Sequence, residues 1–487
     1  MKKTYIYILI FVLASSLSLS SCKKYLDINT NPNTAERVDP KLLFSYAVTS
    51  YINLRSSGDL YIPFALAGQS IATGGDNPTG WGVPSEEQYD ISSFSNGNSW
   101  RTYYTSVGGN LKEAIKLAES ANPVNNNAAA QCKVVLAMSV YETSTVFGDI
   151  PFSEAWNTTI SYPKFDAQKD VLEGCITLID DALKQFDDAS PLKIVDYDLF
   201  KYNGDLNKWR RLANSVKLRI LMTMVDKDPS KAAAIGTLIG ATNNRISSAD
   251  DNCLVPYQDV AGKKNPKFAI NEQYNGEVNF FFGTKNVVDF MRPLKDPRLP
   301  KFFTKPAKAT DYFGVENGET ADDDVNVRIS TDLQSASAPE VLFTYQEELF
   351  YEAEIYARGL GVPVDLGKAT TLYKKAVEES CKYYGVDAGT AATFAATLPA
   401  ITNAEAGVKL IDMHHWVDKM DRGIDAFTQW RRSGPEGSET PALKLPIGAP
   451  AGPLFRRFEY PITNEISVNP NAPKNTIKFT EKMWFDL

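Results

Sequence analysis

The sequence predicts an all-α fold with few short strands, and three observations support this class. Apolar residues recur with helical spacing over most of the 487-residue chain. One segment, residues 346–384, has the pattern of two helices that face each other through small side chains. Long stretches rich in Gly, Asn and Pro separate the helices and carry many of the aromatic residues. A single helical scaffold with a loop-rich binding face accounts for all three.

The predicted helices follow one another from residue 39 onward. Asp39 and Pro40 are expected to be the N-cap and first residue of the first helix, since the fixed backbone angle of Pro suits a helix start. Asp166 is expected to open a later one. The further predicted helices cover residues 99–121, 126–147, 166–186, 207–225 and 229–241.

The segment 346–384 resembles a tetratricopeptide (TPR) hairpin. Gly359 and Gly361 end its first predicted helix, and the second begins after a short turn. Small residues let two helices approach, and an aromatic ring fills the gap between turns. No regular array of such repeats occurs elsewhere, so the expected architecture is TPR-like helix pairs rather than a TPR solenoid. The residues expected at the contact are Ala353, Ala357, Tyr373 and Ala376.

Long stretches without a helical pattern lie between these helices. Structureless segments beyond about 12–15 residues are usually functional or disordered. Several of those found here carry aromatic rings, among them Tyr312 and Phe313. We therefore expect the loops to form the binding face. The stretches are residues 68–98, 251–285, 304–340 and 433–453.

The first residues have the pattern of a bacterial lipoprotein signal. Lys2 and Lys3 precede the uncharged apolar stretch Tyr5 to Leu13, which is too short to span a bilayer. The sequence Leu-Ser-Ser-Cys ending at Cys22 has the features of a lipobox, although Ser before the cysteine is less usual than Gly or Ala. The alternatives are a cleaved secretory signal or a spanning anchor.

The predicted organisation follows from the lipobox. Residues 1–21 are a lipoprotein signal peptide, Cys22 is the lipidation site, residues 22–38 are a lipid-anchored tether, and residues 39–487 are one helical domain. Two acyl signals make membrane anchoring stable. We therefore expect the mature protein to sit on a membrane.

Charge and cysteine content exclude some partners. The net charge is −8, and removal of residues 1–21, with two lysines and no acids, gives −10. An acidic chain without a long basic run is a poor nucleic-acid binder. Four widely spaced cysteines remain after Cys22, without a CxxC pair, so a zinc site is not expected. Burial of these thiols is favoured over one disulfide. They are Cys132, Cys175, Cys253 and Cys381.

No catalytic constellation is present in the sequence. The only histidines, His414 and His415, are adjacent and diverge by about 100° on a helix, so they cannot chelate one metal and are expected to be structural. Neither a GxSxG motif nor a complete P-loop occurs. The run Asp322 to Asp324 lacks the glycine-punctuated loop of a calcium site. We predict no enzyme activity, no cofactor and no metal, with a structural calcium ion left open.

Several stretches in order resemble one family, the SusD/RagB-type outer-membrane lipoproteins of Bacteroidetes. The segment "TVFGDIPFSEAW", Thr145 to Trp156, is similar to the family's helix-ending element, and "WRRLANSVKLRI", Trp209 to Ile220, to its Trp-x-Lys/Arg-x-Ala-Asn-Ser helix. The resemblance covers essentially the whole chain and is nearest the SusD-like branch. The other matching stretches are "CKKYLDINTNPN", "KDPRLPKFF", "EELFYEAEIYARG", "AFTQWRRSGPE" and "RFEYPITNEISVNPNA".

The resemblance implies a function. Such proteins have a TPR-like helical scaffold, are not enzymes and are lipid-anchored on the outer surface of the outer membrane. They capture an oligosaccharide, or in some members a peptide, for a SusC-like TonB-dependent transporter. The alternatives are a glycan-active helical enzyme and a peptide-binding TPR-like adaptor.

Aromatic residues in the loops are the candidate ligand contacts, because a pyranose presents C–H groups that stack on a ring. Each ring could equally pack its loop onto the scaffold, and this alternative is strongest for Phe281. Trp209, Trp430 and Trp484 are expected in the core. The candidate ligand-binding residues are Trp81, Asn77, Tyr89, Tyr274 and Phe281.

Overall fold

The computed structural model describes residues 38–75, 83–274, 279–461, 465–473 and 477–487. The predicted signal peptide, Cys22 and nearly all of the predicted tether lie outside these ranges. Within them, no helix combines the length and the apolar character that a membrane crossing requires.

The N-terminal half is a succession of helices that pack on their neighbours in the chain. The predicted start at Pro40 is correct, and the predicted helix 126–147 is found with the same bounds. The predicted helix 99–121 begins earlier, and its middle is a π-helical segment, Thr102–Gly109. The helices are α1 (Pro40–Ser56), α2 (Tyr61–Ala67), α3 (Val83–Glu87), α4 (Ser93–Arg101), α5 (Asn110–Glu119) and α6 (Asn126–Phe147).

Three further helices continue this layer, namely α7 (Gln168–Gln185), α8 (Leu206–Met224) and α9 (Lys231–Gly240). The prediction that Asp166 opens α7 is wrong. Ala167 precedes the helix, and the Asp166 carboxylate instead accepts hydrogen bonds from the amides of Phe152 and Ser153 at 3.0 and 2.7 Å. Asp166 therefore holds the turn that follows α6.

Short strands and helices occupy the stretches that the sequence left as loops. The strands are β1 (Ile71–Ala72), β2 (Cys253–Val255), β3 (Phe282–Gly283), β4 (Phe303–Thr304), β5 (Arg328–Ile329) and β6 (Glu340–Phe343). Strands β1, β3, β5 and β4 form an antiparallel sheet in that order, and β2 pairs with β6. The helices between them are α10 (Pro266–Tyr274), α11 (Lys285–Met291) and α12 (Leu299–Phe302).

The predicted TPR-like hairpin is present as α13 (Tyr345–Arg358) and α14 (Leu366–Tyr383). Ala353, Ala357, Tyr373 and Ala376 are all fully buried between the two helices. Gly359 ends α13 with a left-handed backbone, φ +74°, which glycine adopts without a side-chain clash. The chain continues through α15 (Ala388–Thr397), α16 (Ala404–Asp418), α17 (Gly423–Arg432) and α18 (Glu465–Val468).

Ion pairs inside the core link helices that are far apart in sequence. The guanidinium of Arg55 pairs with Glu142 on α6, with Glu340 on β6 at 2.9 Å and with Asp425 on α17 at 2.6 Å. Glu142 also accepts the hydroxyl protons of Tyr51 and Tyr103. Removing one member of such a buried pair costs about 3–5 kcal/mol, because a charge is left unpaired.

A second carboxylate, Glu347 on α13, has three cationic partners. Arg219 lies 2.8 Å away, and Lys419 and Arg422 each lie 3.1 Å away. These cations hold the pKa of Glu347 below its usual value against the opposing effect of burial. The ion pair between Glu347 and Arg219 on α8 joins the TPR-like hairpin to the N-terminal helices.

The cysteines and histidines lie in the interior. Cys132, Cys175, Cys253 and Cys381 are buried free thiols, as favoured from the sequence. His414 and His415 are fully buried on α16, and burial lowers the pKa of His414 to about 3. Trp209 and Trp430 are also in the core, as predicted.

Candidate functional site

The four-stranded sheet gathers three of the predicted loops on one face. It pairs β1 from stretch 68–98 with β3 from stretch 251–285, and β3 with β5 from stretch 304–340. Side chains reinforce the junction, since Thr284 donates its hydroxyl proton to the carbonyl of Gln69 at 3.1 Å. We call this region, made by residues 69–75, 282–286 and 313–328, the loop face; most of its strand residues are buried, and its exposed part lies mostly within residues 319–325.

A buried carboxylate fixes the base of the loop that carries two of the candidate ligand contacts. Glu87 accepts hydrogen bonds from the Thr73 amide at 3.2 Å, the Thr73 hydroxyl at 2.6 Å and the Asn317 amide group at 2.7 Å. Burial raises the pKa of Glu87, and these hydrogen bonds oppose the shift. Glu87 therefore ties the two ends of segment 74–86 to each other and to the stretch 304–340.

The chain leading into this loop is held by close packing. The Ala321 amide donates to the Gly74 carbonyl at 2.8 Å, and Ala72, Phe282 and Val315 form a small cluster with Ala321. The Arg328 guanidinium lies 3.9 Å from the centre of the Phe282 ring. These contacts hold the chain in place up to residue 74, just before the segment that contains Asn77 and Trp81.

Three predicted site residues fall outside what the structure describes. Trp81 and Asn77 belong to the segment 76–82, between Gly75 and Val83 in the sequence. Cys22 also lies outside the described residues. Tyr274 is the last residue of α10, and its side chain is not among those described.

The other two predicted contacts are core residues. The prediction for Phe281 is wrong, because its ring is fully buried and packs edge-on against Tyr61 and Phe280. Tyr89 is 4% exposed, and its ring centre lies 5.8 Å from that of Phe455. Burial raises the pKa of Tyr89 to about 12. Both rings hold the loops onto the scaffold, which was the alternative considered for each.

Sequence reasoning missed the polar residues that build the loop face. Glu87 and Asn317 lie in stretches whose hydrophobic pattern shows no regular element, so nothing marked them as partners. It also missed a set of aromatic residues around Trp156, described below. The available signal was Trp156 itself, a tryptophan in a polar segment directly after the Phe-Gly-Asp-Ile-Pro motif.

A cavity of about 480 Å³ lies beside the end of the TPR-like hairpin. Three of the charged residues that line it, Lys267, Asp421 and Arg422, already form ion pairs within the fold. Lys267 pairs with Asp421 at 3.1 Å, and Arg422 pairs with Asp418 at 2.8 Å as well as with Glu347. Across the described ranges, no three His, Cys, Asp or Glu side chains are grouped to hold a metal ion.

The fold and the loop face together define a helical-scaffold binding protein. The sequence pattern of the SusD-like family, described as starch-binding and associating with the outer membrane, matches residues 32–461. The chain belongs to this family, which confirms the resemblance found in the sequence. Proteins of the family bind ligands and are not enzymes.

Solved structures share the fold. A chitin-binding protein superposes with a TM-score of 0.78 at 23% identity, covering 92% of this chain and all of that chain. A SusD homologue from Parabacteroides distasonis gives 0.72 at 19% identity, covering 92% and 97%. A chitin-binding SusD homologue from Flavobacterium johnsoniae gives 0.70 at 18% identity, with the same coverage. No curated protein matches the sequence.

Proposed function

We propose that this chain is a cell-surface lipoprotein that binds a nutrient oligosaccharide and delivers it to a SusC-like TonB-dependent transporter. The observation that carries the proposal is the match of the SusD-like family to residues 32–461, a family described as starch-binding and associated with the outer membrane. Two of the solved structures that share the fold are named chitin-binding.

The loop face is the proposed binding surface. Glu87 and the sheet hold both ends of the segment that contains Trp81 and Asn77. Anchoring a loop before the ligand arrives reduces the entropy lost on binding. We propose that the Trp81 ring stacks on a pyranose and that Asn77 hydrogen-bonds its hydroxyl groups.

Glycan binding is tested with protein lacking residues 1–22 on an array of starch-type and chitin-type oligosaccharides. We expect binding of one glycan class, and Trp81→Ala should weaken it by about tenfold or more. Tyr46→Ala is the matched control, since Tyr46 is an exposed ring on α1 outside the loop face. Binding of peptides through their termini, without binding of any glycan, would favour the alternative of a peptide-binding TPR-like adaptor.

The membrane anchor is proposed to be a lipid on Cys22. Each buried methylene of an acyl chain contributes about 0.8 kcal/mol, so two or more chains hold the protein stably. Growth with labelled palmitate should label the full chain and leave Cys22→Ala unlabelled. Label retained by the variant, or absent from the natural chain, would contradict the anchor.

Delivery requires contact with the transporter, and we propose that the TPR-like helix pairs supply it, because helical-repeat surfaces commonly bind proteins. Affinity purification of the full chain from outer membranes should recover a large TonB-dependent β-barrel in stoichiometric amount. Recovery of the lipoprotein alone under gentle extraction would argue against a stable complex.

A further inference from the structure

A second cluster of aromatic residues lines a cavity that the proposed function does not use. The cavity has a volume of about 220 Å³ and lies between the π-helical segment and the turn after α6. Drug-sized ligands occupy pockets of about 300–1,000 Å³, so this one fits a single ring rather than a chain. The rings that line it are Trp100, Tyr104, Trp156 and Phe165.

The rings form one stack, in which the Tyr104 ring lies between those of Trp100 and Trp156. The ring centre of Tyr104 lies 4.6 Å from that of Trp100 and 5.6 Å from that of Trp156, and the planes differ by only 35° and 30°. Phe165 lies 6.0 Å from Trp100 with nearly parallel planes. Tyr104, Trp156 and Phe165 are half-buried and Trp100 is buried, so solvent reaches three of the four rings.

The polar side-chain atoms of Tyr104 and Trp156 are already used. The Trp156 indole nitrogen donates to the Tyr104 carbonyl at 2.7 Å, and the Tyr104 hydroxyl donates to the Pro151 carbonyl at 2.8 Å. These two polar atoms are therefore not available to a ligand. Asn469 also lines the cavity, but its side chain already donates to the Pro163 carbonyl at 2.8 Å and accepts from the Asn471 amide at 2.9 Å. Ser161 adds a hydroxyl group to the lining.

The position of Trp156 is set by its surroundings. Its backbone has φ +60°, a conformation rare for a bulky residue and one that persists only where the surrounding structure imposes it. Its ring lies against Gly108, where a Cβ atom would come within 2.1 Å of the indole. Tyr104 and Gly108 belong to the π-helical segment, a feature often found at functional sites.

We infer that this cavity is a second saccharide site, which binds a single pyranose ring by stacking. The choice of a sugar among ring-shaped ligands rests on the proposed function. A β-glucopyranoside suits the aromatic lining because its equatorial hydroxyl groups leave C–H groups on both faces, and those hydroxyl groups can reach Ser161. The site takes one sugar unit independently of the loop face.

The probe is methyl β-D-glucopyranoside, titrated against protein lacking residues 1–22 and followed by saturation-transfer NMR. We expect saturable binding, with no binding of sorbitol, which has the same hydroxyl groups but no ring. Trp156→Gly removes the ring and relieves the backbone, and it should weaken binding by about tenfold. Tyr104→Leu, which keeps an apolar side chain on the helix, should do the same. Circular dichroism and thermal melting verify that each variant is folded.

The two sites are separated by their variants. In a Trp81→Ala background, Trp156→Gly should still weaken binding of the monosaccharide, and Tyr46→Ala is again the control. Absence of pyranoside binding, or binding unaffected by both Trp156→Gly and Tyr104→Leu, would overturn the inference, as would binding of cyclohexanol without binding of the pyranoside. If the pyranoside binds here but no oligosaccharide binding depends on Trp81, the inference stands and the proposed loop-face site fails.

Discussion

Acid should destabilise the fold through His414. This side chain is fully buried, with its ring 4.9 Å from that of Phe290 and 5.3 Å from that of Tyr373. Arg298 donates a hydrogen bond to its Nδ1 atom at 3.5 Å. Burial, reinforced by the Arg298 charge, lowers the pKa of His414 to about 3, so the imidazole is neutral in the folded protein.

The sign and size of the effect follow from linkage. The pKa of His in the unfolded chain is about 6.5, so between about pH 6.5 and 3 the unfolded state binds a proton that the folded state does not. Stability is fully present above this range and falls as the pH decreases through it. For a pKa of about 3 in the folded state, the loss between pH 7 and 4.5 is about 2.5 kcal/mol from His414 alone.

The measurement is urea denaturation of the natural protein and of His414→Gln at several pH values from 7 to 4.5. Other titrating groups, including His415, are present in both proteins and cancel in the difference. The free energy of unfolding should fall by about 2.5 kcal/mol less in the variant over this range. Parallel pH profiles would refute the reasoning, because they would show that His414 does not titrate differently in the folded and unfolded states.

Two further predictions concern the scaffold. Gly359→Ala should lower the free energy of unfolding by about 1–2 kcal/mol, because the new side chain would be held in the left-handed region. Gly240→Ala, on α9 with open space around it, should cost nothing in the same urea titration. Glu347→Gln should cost about 3–5 kcal/mol, because it removes the buried carboxylate that pairs with Arg219, Lys419 and Arg422. Glu405→Gln, which removes one partner of an exposed ion pair, should change the free energy of unfolding by less than about 0.5 kcal/mol. Equal losses in Glu347→Gln and Glu405→Gln would contradict the stabilising role of the buried ion pairs of Glu347.

The helical part of the fold was predictable because its signals are local. The residue pattern of 126–147 repeats along one helix face, and Gly359 marks a helix end by its own backbone preference. Helix α4 was assigned to a loop because Asn96, Gly97 and Asn98 are poor helix formers. Contacts with other parts of the chain, such as the hydrogen bond from Asn98 to Asp59 at 3.1 Å, favour the helix instead.

The sheet and the site were not predictable from local pattern. Strands such as Ile71–Ala72 and Phe282–Gly283 are two residues long, too short for an alternating pattern, and they exist because distant segments pair. The same reason explains the error at Phe281, whose aromatic ring suggested a ligand contact. A sequence shows that a loop carries a ring but not whether the loop folds back onto the core.

The hydrogen bonds of Glu87 have a consequence for the two ends of the segment between residues 75 and 83. Thr73, Asn317 and the paired strands hold the chain on either side of this segment. Because this framework is formed without a ligand, we expect the distance between residues 75 and 83 to be nearly the same before and after binding.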